Sequence, residues 1–329
     1  MRACYGRAME LRDLGRTGLR VSAIGFGAWG IGGLVPGASY GATDDAVSRA
    51  ALARAFARGI VFFDTAPAYG DGHSESLLGE FLSGLPAGEA DRAVVATKAG
   101  QVRFADPTDF SPAAIRASVE GSLRRLRRPA IDLLQLHNPT PDLLASRPEI
   151  VACLVDLRRA GHIRAWGIST KTPAEALRCL REFDAPVVQA NYNLIDHRAA
   201  DGGLFDEARA RGAGVIARTP LAFGFLTGTV APDAAFPEGD HRRLWPRERL
   251  QSWSRAAREF VGDIAAREGQ TLAQIALRFC VSRPEVSTAI PGILTPAEAD
   301  ANATAGMAGP LAAADLARIE RDYRASPFA

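Results

Sequence analysis

Long apolar runs and net charge are both missing from this sequence. No segment approaches the roughly 20 apolar residues that a membrane-spanning helix needs, and no signal-peptide core follows the charged residues at the start. The formal net charge is +2, with acidic and basic residues interspersed, so neither nucleic acid nor an anionic membrane is an expected partner. We therefore expect a soluble, cytoplasmic protein that acts on a small molecule, with a disordered tail over residues 1–9.

Cysteine is scarce and its spacing carries no metal or redox motif. The four cysteines, Cys4, Cys153, Cys179 and Cys280, form no CxxC or Cys/His ligand pattern. Three of them fall in predicted helices, where a free thiol behaves as a small core side chain. The sequence therefore predicts reduced, structural thiols and no bound metal.

Lysine is scarcer still, because all but two of the 39 basic residues are arginine. Lys98 ends a predicted strand, and a lysine at that place indicates a role that a guanidinium cannot fill. Lys171 begins a predicted helix. We interpret it as a surface residue, with contact to a cofactor phosphate as the alternative.

Short β-rich apolar runs alternate with helical patterns along the chain. The predicted strands are residues 24–26, 60–64, 94–98, 133–137, 163–168, 187–190, 215–217 and 286–290. The predicted helices between them include residues 44–58, 112–126, 148–160 and 173–183. Strands separated by helices form parallel sheets, and eight such units in about 300 residues predict a closed (β/α)8 barrel, the TIM-barrel fold.

No GxGxxG motif follows the first predicted strand, which argues against a Rossmann domain. We expect one domain over residues 10–329. A β-hairpin over residues 11–21 is placed to plug the barrel bottom, a long loop over residues 228–246 follows the seventh strand, and a last helix covers residues 312–323. Long loops inside a domain are usually functional.

Four polar side chains lie at or just beyond the carboxyl ends of three consecutive predicted strands: Asp64, Tyr69, Lys98 and His137. Each alone is typical of a cap, a loop anchor or a core residue, but a barrel gathers strand ends at one mouth. A carbonyl that accepts hydride needs a proton donor, and an ammonium beside a phenol favours the phenolate. A carboxylate keeps that ammonium charged, and a histidine can orient the substrate oxygen.

At these positions the chain resembles the aldo-keto reductase family, over about residues 11–302. The resemblance is carried by Gly25-Phe26-Gly27, Asp64 to Tyr69, Ala96-Thr97-Lys98, Gln135-Leu136-His137, Gly167-Ile168-Ser169, Gln189 to Asn193, Pro220 to Gly228 and Ile290-Pro291-Gly292. It implies that Tyr69 is the general acid, Lys98 its partner, Asp64 the partner of Lys98, and His137 the orienting group.

The resemblance also implies an extended NADP or NAD cofactor across the mouth, bound without a Rossmann fold and without metal. Ser169, Thr170 and Gln189 are expected to hold the nicotinamide carboxamide. The remaining expected cofactor contacts are Gly27, Trp29, Asp64, Arg218, Pro220, Leu221, Gly224, Leu226, Gly292, Glu298 and Asn302.

Two positions depart from the family pattern. Arg218 stands where the family often has an aromatic residue under the nicotinamide, so it is expected to stack there, bond the ribose or point at the phosphates. Glu298 and Gly292 stand where many members have cations for the adenosine 2′-phosphate. A carboxylate repels a phosphate but accepts bonds from a 2′-hydroxyl, so NADH use is an open alternative to NADPH; Arg242 or Arg243 would supply the missing charge for NADPH.

The expected substrate pocket is mostly aromatic, which suits a neutral carbonyl compound. Its walls are Trp29, Tyr69, Phe104, His137, Asn138, Phe223, Phe225 and Trp245, and Arg103 is the candidate clamp for an acidic substrate. Two rival hypotheses are a non-catalytic nicotinamide-binding redox-sensing subunit of the same fold, and a lyase that uses Lys98 as a Schiff-base nucleophile. The natural substrate and the oligomeric state stay open.

Overall fold

The computed structural model describes residues 8–33, 35 and 40–328. A hairpin of two strands, β1 (Leu11–Asp13) and β2 (Arg20–Ser22), precedes a parallel sheet. The sheet strands are β3 (Phe26–Gly27), β4 (Phe62–Asp64), β5 (Val94–Ala99), β6 (Ile131–His137), β7 (Ile163–Ser169), β8 (Val187–Asn191), β9 (Gly214–Arg218) and β10 (Val286–Ala289).

Helices follow the strands on the outside. They are α1 (Asp45–Ala57), α2 (His73–Ser83), α3 (Pro112–Leu126), α4 (Pro141–Ser146), α5 (Glu149–Arg159), α6 (Pro173–Phe183), α7 (Arg198–Asp201), α8 (Leu204–Arg211), α9 (Arg247–Glu268), α10 (Leu272–Val281), α11 (Pro296–Ala308) and α12 (Ala313–Arg324). Side-chain caps begin several of them: Ser111 caps α3, and Thr172 forms a capping box with Glu175 on α6.

The sheet closes into the predicted barrel. Each strand from β3 to β10 pairs in parallel with its neighbour in the chain. The two ends meet through the bridges Ile24↔Ala289 and Gly27↔Gly292, with the Gly27 amide donating to the Pro291 carbonyl at 2.8 Å. A Cβ on Gly27 would lie 2.8 Å from that oxygen, so the closure requires glycine here.

The first barrel strand differs from the prediction. The sequence predicts residues 24–26, whereas the strand is Phe26–Gly27 and Ile24 contributes only an isolated bridge. The apolar run was read correctly as barrel wall, but the chain pairs with β4 only after Gly25. The long loop predicted over residues 228–246 is less irregular than expected, since it contains a 3-10 turn at His241–Leu244. Another 3-10 turn, at Ala222–Thr227, precedes it.

The hairpin plugs the barrel bottom, as predicted. Leu14, Leu19 and Val21 join one buried apolar cluster with inward side chains near the starts of the strands, such as Val94 and Leu133. A second, larger cluster lies between the strands and the surrounding helices. The barrel interior is therefore a packed core below the mouth.

Residues 1–7 of the predicted tail, with Cys4, lie outside the described residues. Met9 does not belong to a tail, because it is buried in the outer core and lies against Gly59 and Gly306. Cys153, Cys179 and Cys280 are buried free thiols, and burial raises the pKa of Cys179 to about 12. Within the described ranges, no helix is long and apolar enough to cross a membrane, and no cluster of histidine, cysteine and acidic side chains could hold a metal ion.

Candidate active site

Lys98 stands at the centre of the predicted site, near the end of β5. Its side chain is 1% exposed, and the Nζ donates to Asp64 Oδ1 at 2.5 Å, to the Thr65 carbonyl at 2.9 Å and to Tyr69 Oη at 3.1 Å. Burial alone would lower the pKa of Lys98, but the carboxylate of Asp64 and the Tyr69 oxygen outweigh burial and raise it. Lys98 is therefore an ammonium whose three N–H bonds are all used.

Asp64 is held by both neighbouring and distant strands. Its Oδ2 accepts from Gln135 Nε2 at 2.9 Å and from Gln189 Nε2 at 2.8 Å, across the barrel interior. Gln189 is expected to bind the nicotinamide carboxamide. In the structure, its side-chain amide nitrogen donates to Asp64 Oδ2 and to Gln135 Oε1. Gln135 was missed as a site residue. Its signal was a glutamine inside the apolar run Leu134-Gln135-Leu136, because a buried amide needs a polar partner.

Tyr69 is positioned by a close crossing of two loops. The backbone at Gly70 has a φ of +65° and lies against Gly32, where a Cβ on Gly70 would be 1.9 Å from the Gly32 carbonyl oxygen. Only glycine permits that approach. The phenol points into the mouth, half-buried, with its oxygen on the ammonium of Lys98.

His137 faces Tyr69 across the mouth. The two ring centroids are 6.1 Å apart, and Phe104 packs 6.3 Å from Tyr69 and 6.2 Å from His137. Burial, followed by the charges of Lys98 and Arg218, lowers the pKa of His137 well below 6.5. Its Nδ1 has no hydrogen-bond partner within the described part of the chain. The imidazole is therefore neutral and retains bonding capacity for a ligand.

Polar groups next to this centre fit an amide-bearing ligand. Ser169 donates to Asn138 Oδ1 and to Gln189 Oε1, both at a long 3.3 Å, so both bonds are weak and exchangeable. Arg218 extends from the end of β9 across the mouth, and its Nη1 donates to Asn138 Oδ1 at 3.2 Å and to the Thr170 carbonyl at 3.3 Å. These groups can therefore exchange their hydrogen bonds for bonds to a ligand that carries both a donor and an acceptor, such as an amide.

A second wall of the mouth is aromatic, as predicted, but includes residues that the sequence analysis missed. The ring centroid of His241 lies 5.0 Å from that of Trp29 and 5.3 Å from that of Phe223. The ring centroids of Phe223 and Trp245 are 5.1 Å apart. Tyr40 packs 4.8 Å from Trp29. The long loop after β9 thus folds back over the mouth through His241, a contact that sequence spacing could not reveal.

Phe225 does not line this wall. It is fully buried and packs behind Trp245, with the ring centroids 5.8 Å apart. Leu226 and Pro220, expected as cofactor contacts, are also buried, whereas Leu221 and Gly224 are partly exposed. The sequence predicts that the apolar segment after β9 contributes to the mouth, but periodicity does not indicate which of its side chains turn inward.

Two candidate anion-binding arginines are already paired. Arg103 donates to Asp71 Oδ2 at 2.7 Å. Arg242 donates to both carboxylate oxygens of Asp240 and to the Phe223 carbonyl. Its guanidinium also lies over the rings of Tyr40 and Phe236. The structure therefore makes Arg103 a weak candidate for an acid clamp and Arg242 a weak candidate for a phosphate ligand. Arg243 is exposed.

The expected adenosine end lies beyond β10. Gly292 is exposed, with open space around it. Glu298 forms the capping box of α11: its Oε2 accepts from the backbone of Leu294 at 2.7 Å and of Thr295 at 3.1 Å. Asn302 is buried one turn further on. A carboxylate thus occupies backbone donors that would otherwise attract a phosphate.

Comparisons with known proteins agree with this geometry. A sequence model described as the Aldo/keto reductase family matches residues 23–323. L-galactose dehydrogenase of Arabidopsis thaliana is 33% identical over 310 residues, covering 90% of this chain and 88% of the relative. An NADH-specific methylglyoxal reductase of Escherichia coli is 29% identical over 319 residues, covering 90% and 93%. The structure of a glycerol dehydrogenase from Gluconobacter oxydans superposes with a TM-score of 0.78 at 29% identity, covering 96% and 95%.

Proposed function

The chain belongs to the aldo/keto reductase family, and we propose that it reduces an aldehyde or ketone to an alcohol, or catalyses the reverse oxidation, with a nicotinamide cofactor. The observation that carries the proposal is the 3.1 Å hydrogen bond from the buried Lys98 ammonium to the Tyr69 oxygen. A phenol so placed is a proton donor whose conjugate base is stabilised by a fixed cation.

The roles follow from the contacts. Tyr69 donates its proton to the carbonyl oxygen, and Lys98 stabilises the phenolate that remains. Asp64, held by two glutamine amides, keeps Lys98 charged and in place. The neutral His137 donates a hydrogen bond that orients the carbonyl oxygen. The nicotinamide, when bound, supplies the hydride.

For the cofactor, we assign the carboxamide to Ser169, Thr170 and Asn138, with Gln189 acting through Asp64. The other expected contacts are Gly27, Trp29, Arg218, Leu221, Gly224, Gly292, Glu298 and Asn302. Substrate contacts are Trp29, Phe104, Asn138, Phe223 and Trp245.

We assign NADH as the preferred cofactor. Glu298 presents a negative charge on the backbone donors at the start of α11, which opposes a 2′-phosphate. A relative that is 29% identical is named as NADH-specific. The paired state of Arg242 removes one alternative source of positive charge.

The lyase hypothesis conflicts with the state of Lys98. A Schiff-base nucleophile needs an unprotonated amine with a lowered pKa, whereas the pKa of Lys98 is raised and its ammonium makes three hydrogen bonds. Turnover of a carbonyl substrate by the wild-type protein distinguishes the reductase hypothesis from the hypothesis of a non-catalytic subunit.

The test is a titration with NADH and NADPH, followed by quenching of the fluorescence of the four tryptophans. We expect micromolar binding of NADH and weaker binding of NADPH. Tyr69→Phe should lower turnover by roughly 10² to 10⁴ with an unchanged Kd for NADH. Tyr323→Phe, which removes a phenol of helix α12 that donates to the Phe328 carbonyl, is the matched control and should keep normal turnover. If neither nucleotide binds, the proposal is wrong.

A further inference from the structure

Of the cations beyond the carboxyl ends of the strands, three are neutralised by a carboxylate, a fourth is half-buried in the mouth, and Lys171 and Arg243 are exposed. Lys98 pairs with Asp64, and Arg103 pairs with Asp71. Arg242 pairs with Asp240. The fourth, Arg218, makes no ion pair within residues 8–33, 35 and 40–328, and its hydrogen-bond acceptors are the neutral oxygens of Asn138 and Thr170.

The guanidinium of Arg218 is held in the mouth. It is half-buried, and Nη1 bridges residues at the ends of β6 and β7. Because both acceptors are neutral, the full positive charge of Arg218 stays uncompensated beside His137. Burial, followed by the charges of Lys98 and Arg218, lowers the pKa of His137, so the imidazole adds no further charge. The reaction centre therefore carries a net positive charge that arises from Arg218.

This charge acts differently on the two redox forms of a nicotinamide. The oxidised ring carries a positive charge and the reduced ring is neutral, while the rest of the molecule is identical. To deliver hydride to a carbonyl bound at Tyr69 and His137, the ring must approach the carbonyl carbon within about 3 to 3.5 Å. That requirement places it in the same mouth as the guanidinium.

We propose that Arg218 selects the reduced cofactor by repelling the cationic ring of the oxidised form. This inference rests on the proposed function, and it adds a direction: the site takes up reduced cofactor and releases oxidised cofactor after carbonyl reduction. Like unit charges roughly 6 to 12 Å apart near a protein surface change a binding constant by roughly a hundredfold to tenfold.

The experiment measures the Kd values of NADH, NAD⁺ and ADP-ribose, by tryptophan fluorescence and calorimetry, for the wild type and three variants. Arg218→Gln removes the charge, and Arg218→Lys keeps it. Arg159→Gln removes a charge from an exposed position at the end of α5, at the opposite end of the barrel. The same titrations are made with NADPH and NADP⁺, so that the comparison also holds if the protein prefers the phosphorylated cofactor.

We expect the ratio of the NAD⁺ to the NADH Kd to fall at least about tenfold in Arg218→Gln. The ratio should stay within about twofold of the wild-type value in Arg218→Lys and in Arg159→Gln, and ADP-ribose should bind all four proteins alike. This readout does not depend on turnover, and Arg218→Met is a second neutral variant, with the same expected fall in the ratio, if Arg218→Gln folds poorly.

Two results would overturn the inference while leaving the proposed function intact. One is an unchanged ratio in Arg218→Gln. The other is an equal weakening of NADH, NAD⁺ and ADP-ribose, which would assign Arg218 to the phosphates or to the fold. If the wild-type protein binds neither nucleotide, the proposed function fails and this inference fails with it.

Discussion

Replacing Lys98 by methionine should damage stability and catalysis for separate reasons. The change removes the cation and leaves the Asp64 carboxylate, which is 2% exposed, without the partner on its Oδ1. Breaking a buried ion pair from one side costs about 3 to 5 kcal/mol. Because Gln135 and Gln189 still donate to Oδ2, we expect the lower end, about 3 kcal/mol of unfolding free energy.

The double variant Asp64→Asn/Lys98→Met separates the two effects. The Asp64→Asn change removes the buried carboxylate that Lys98→Met leaves unpaired. We therefore expect the double variant to recover about 2 kcal/mol of the lost unfolding free energy. Turnover should not return, because the phenolate of Tyr69 still lacks its cation. Both Lys98 variants should turn over roughly 10² to 10⁴ times more slowly than the wild type.

Urea denaturation followed by tryptophan fluorescence gives the free energies, and carbonyl-dependent NADH oxidation gives turnover. Asp64→Asn alone completes the cycle. If the double variant is as unstable as the sum of the two single variants, the pair is not energetically coupled and our account of the site electrostatics is refuted.

Three further predictions concern other buried or charged groups. Burial lowers the pKa of His197 to about 4, so its contribution to stability is present above pH 6.5 and is lost as the pH falls toward 4. In urea titrations at pH 7 and pH 4.5, His197→Phe should reduce the acid-induced loss of unfolding free energy by about 2 kcal/mol. Arg125→Met should lower the unfolding free energy by about 3 kcal/mol, because it leaves the fully buried Glu75 carboxylate without its ion-pair partner. Adding Glu75→Gln should recover part of that loss in the same assay. Glu298→Gln should tighten NADPH binding by about tenfold with little change for NADH, and an unchanged NADPH Kd would remove Glu298 from the cofactor argument.

The chemistry of the site was largely predictable because it depends on residue type and strand register. Asp64, Lys98 and His137 lie at the ends of apolar runs, and parallel strands bring their carboxyl ends to one edge. The sequence did not predict the contacts that side chains make with a distant partner. Gln189 was assigned to a ligand but contacts Asp64, 125 positions away in the chain, and Phe225 was assigned to the pocket but is fully buried.

By itself the sequence predicted the barrel, since alternating strands and helices indicate a parallel sheet and eight such units in about 300 residues favour a closed barrel over an open sheet. It also determined which residue types gather at the mouth. Only the tertiary structure decided which charges are neutralised there. Asp71 forms an ion pair with Arg103, and Asp240 forms one with Arg242. Arg218 instead donates to the neutral oxygens of Asn138 and Thr170. Charge compensation depends on distances of a few ångströms between residues far apart in the chain, and no local pattern encodes those distances.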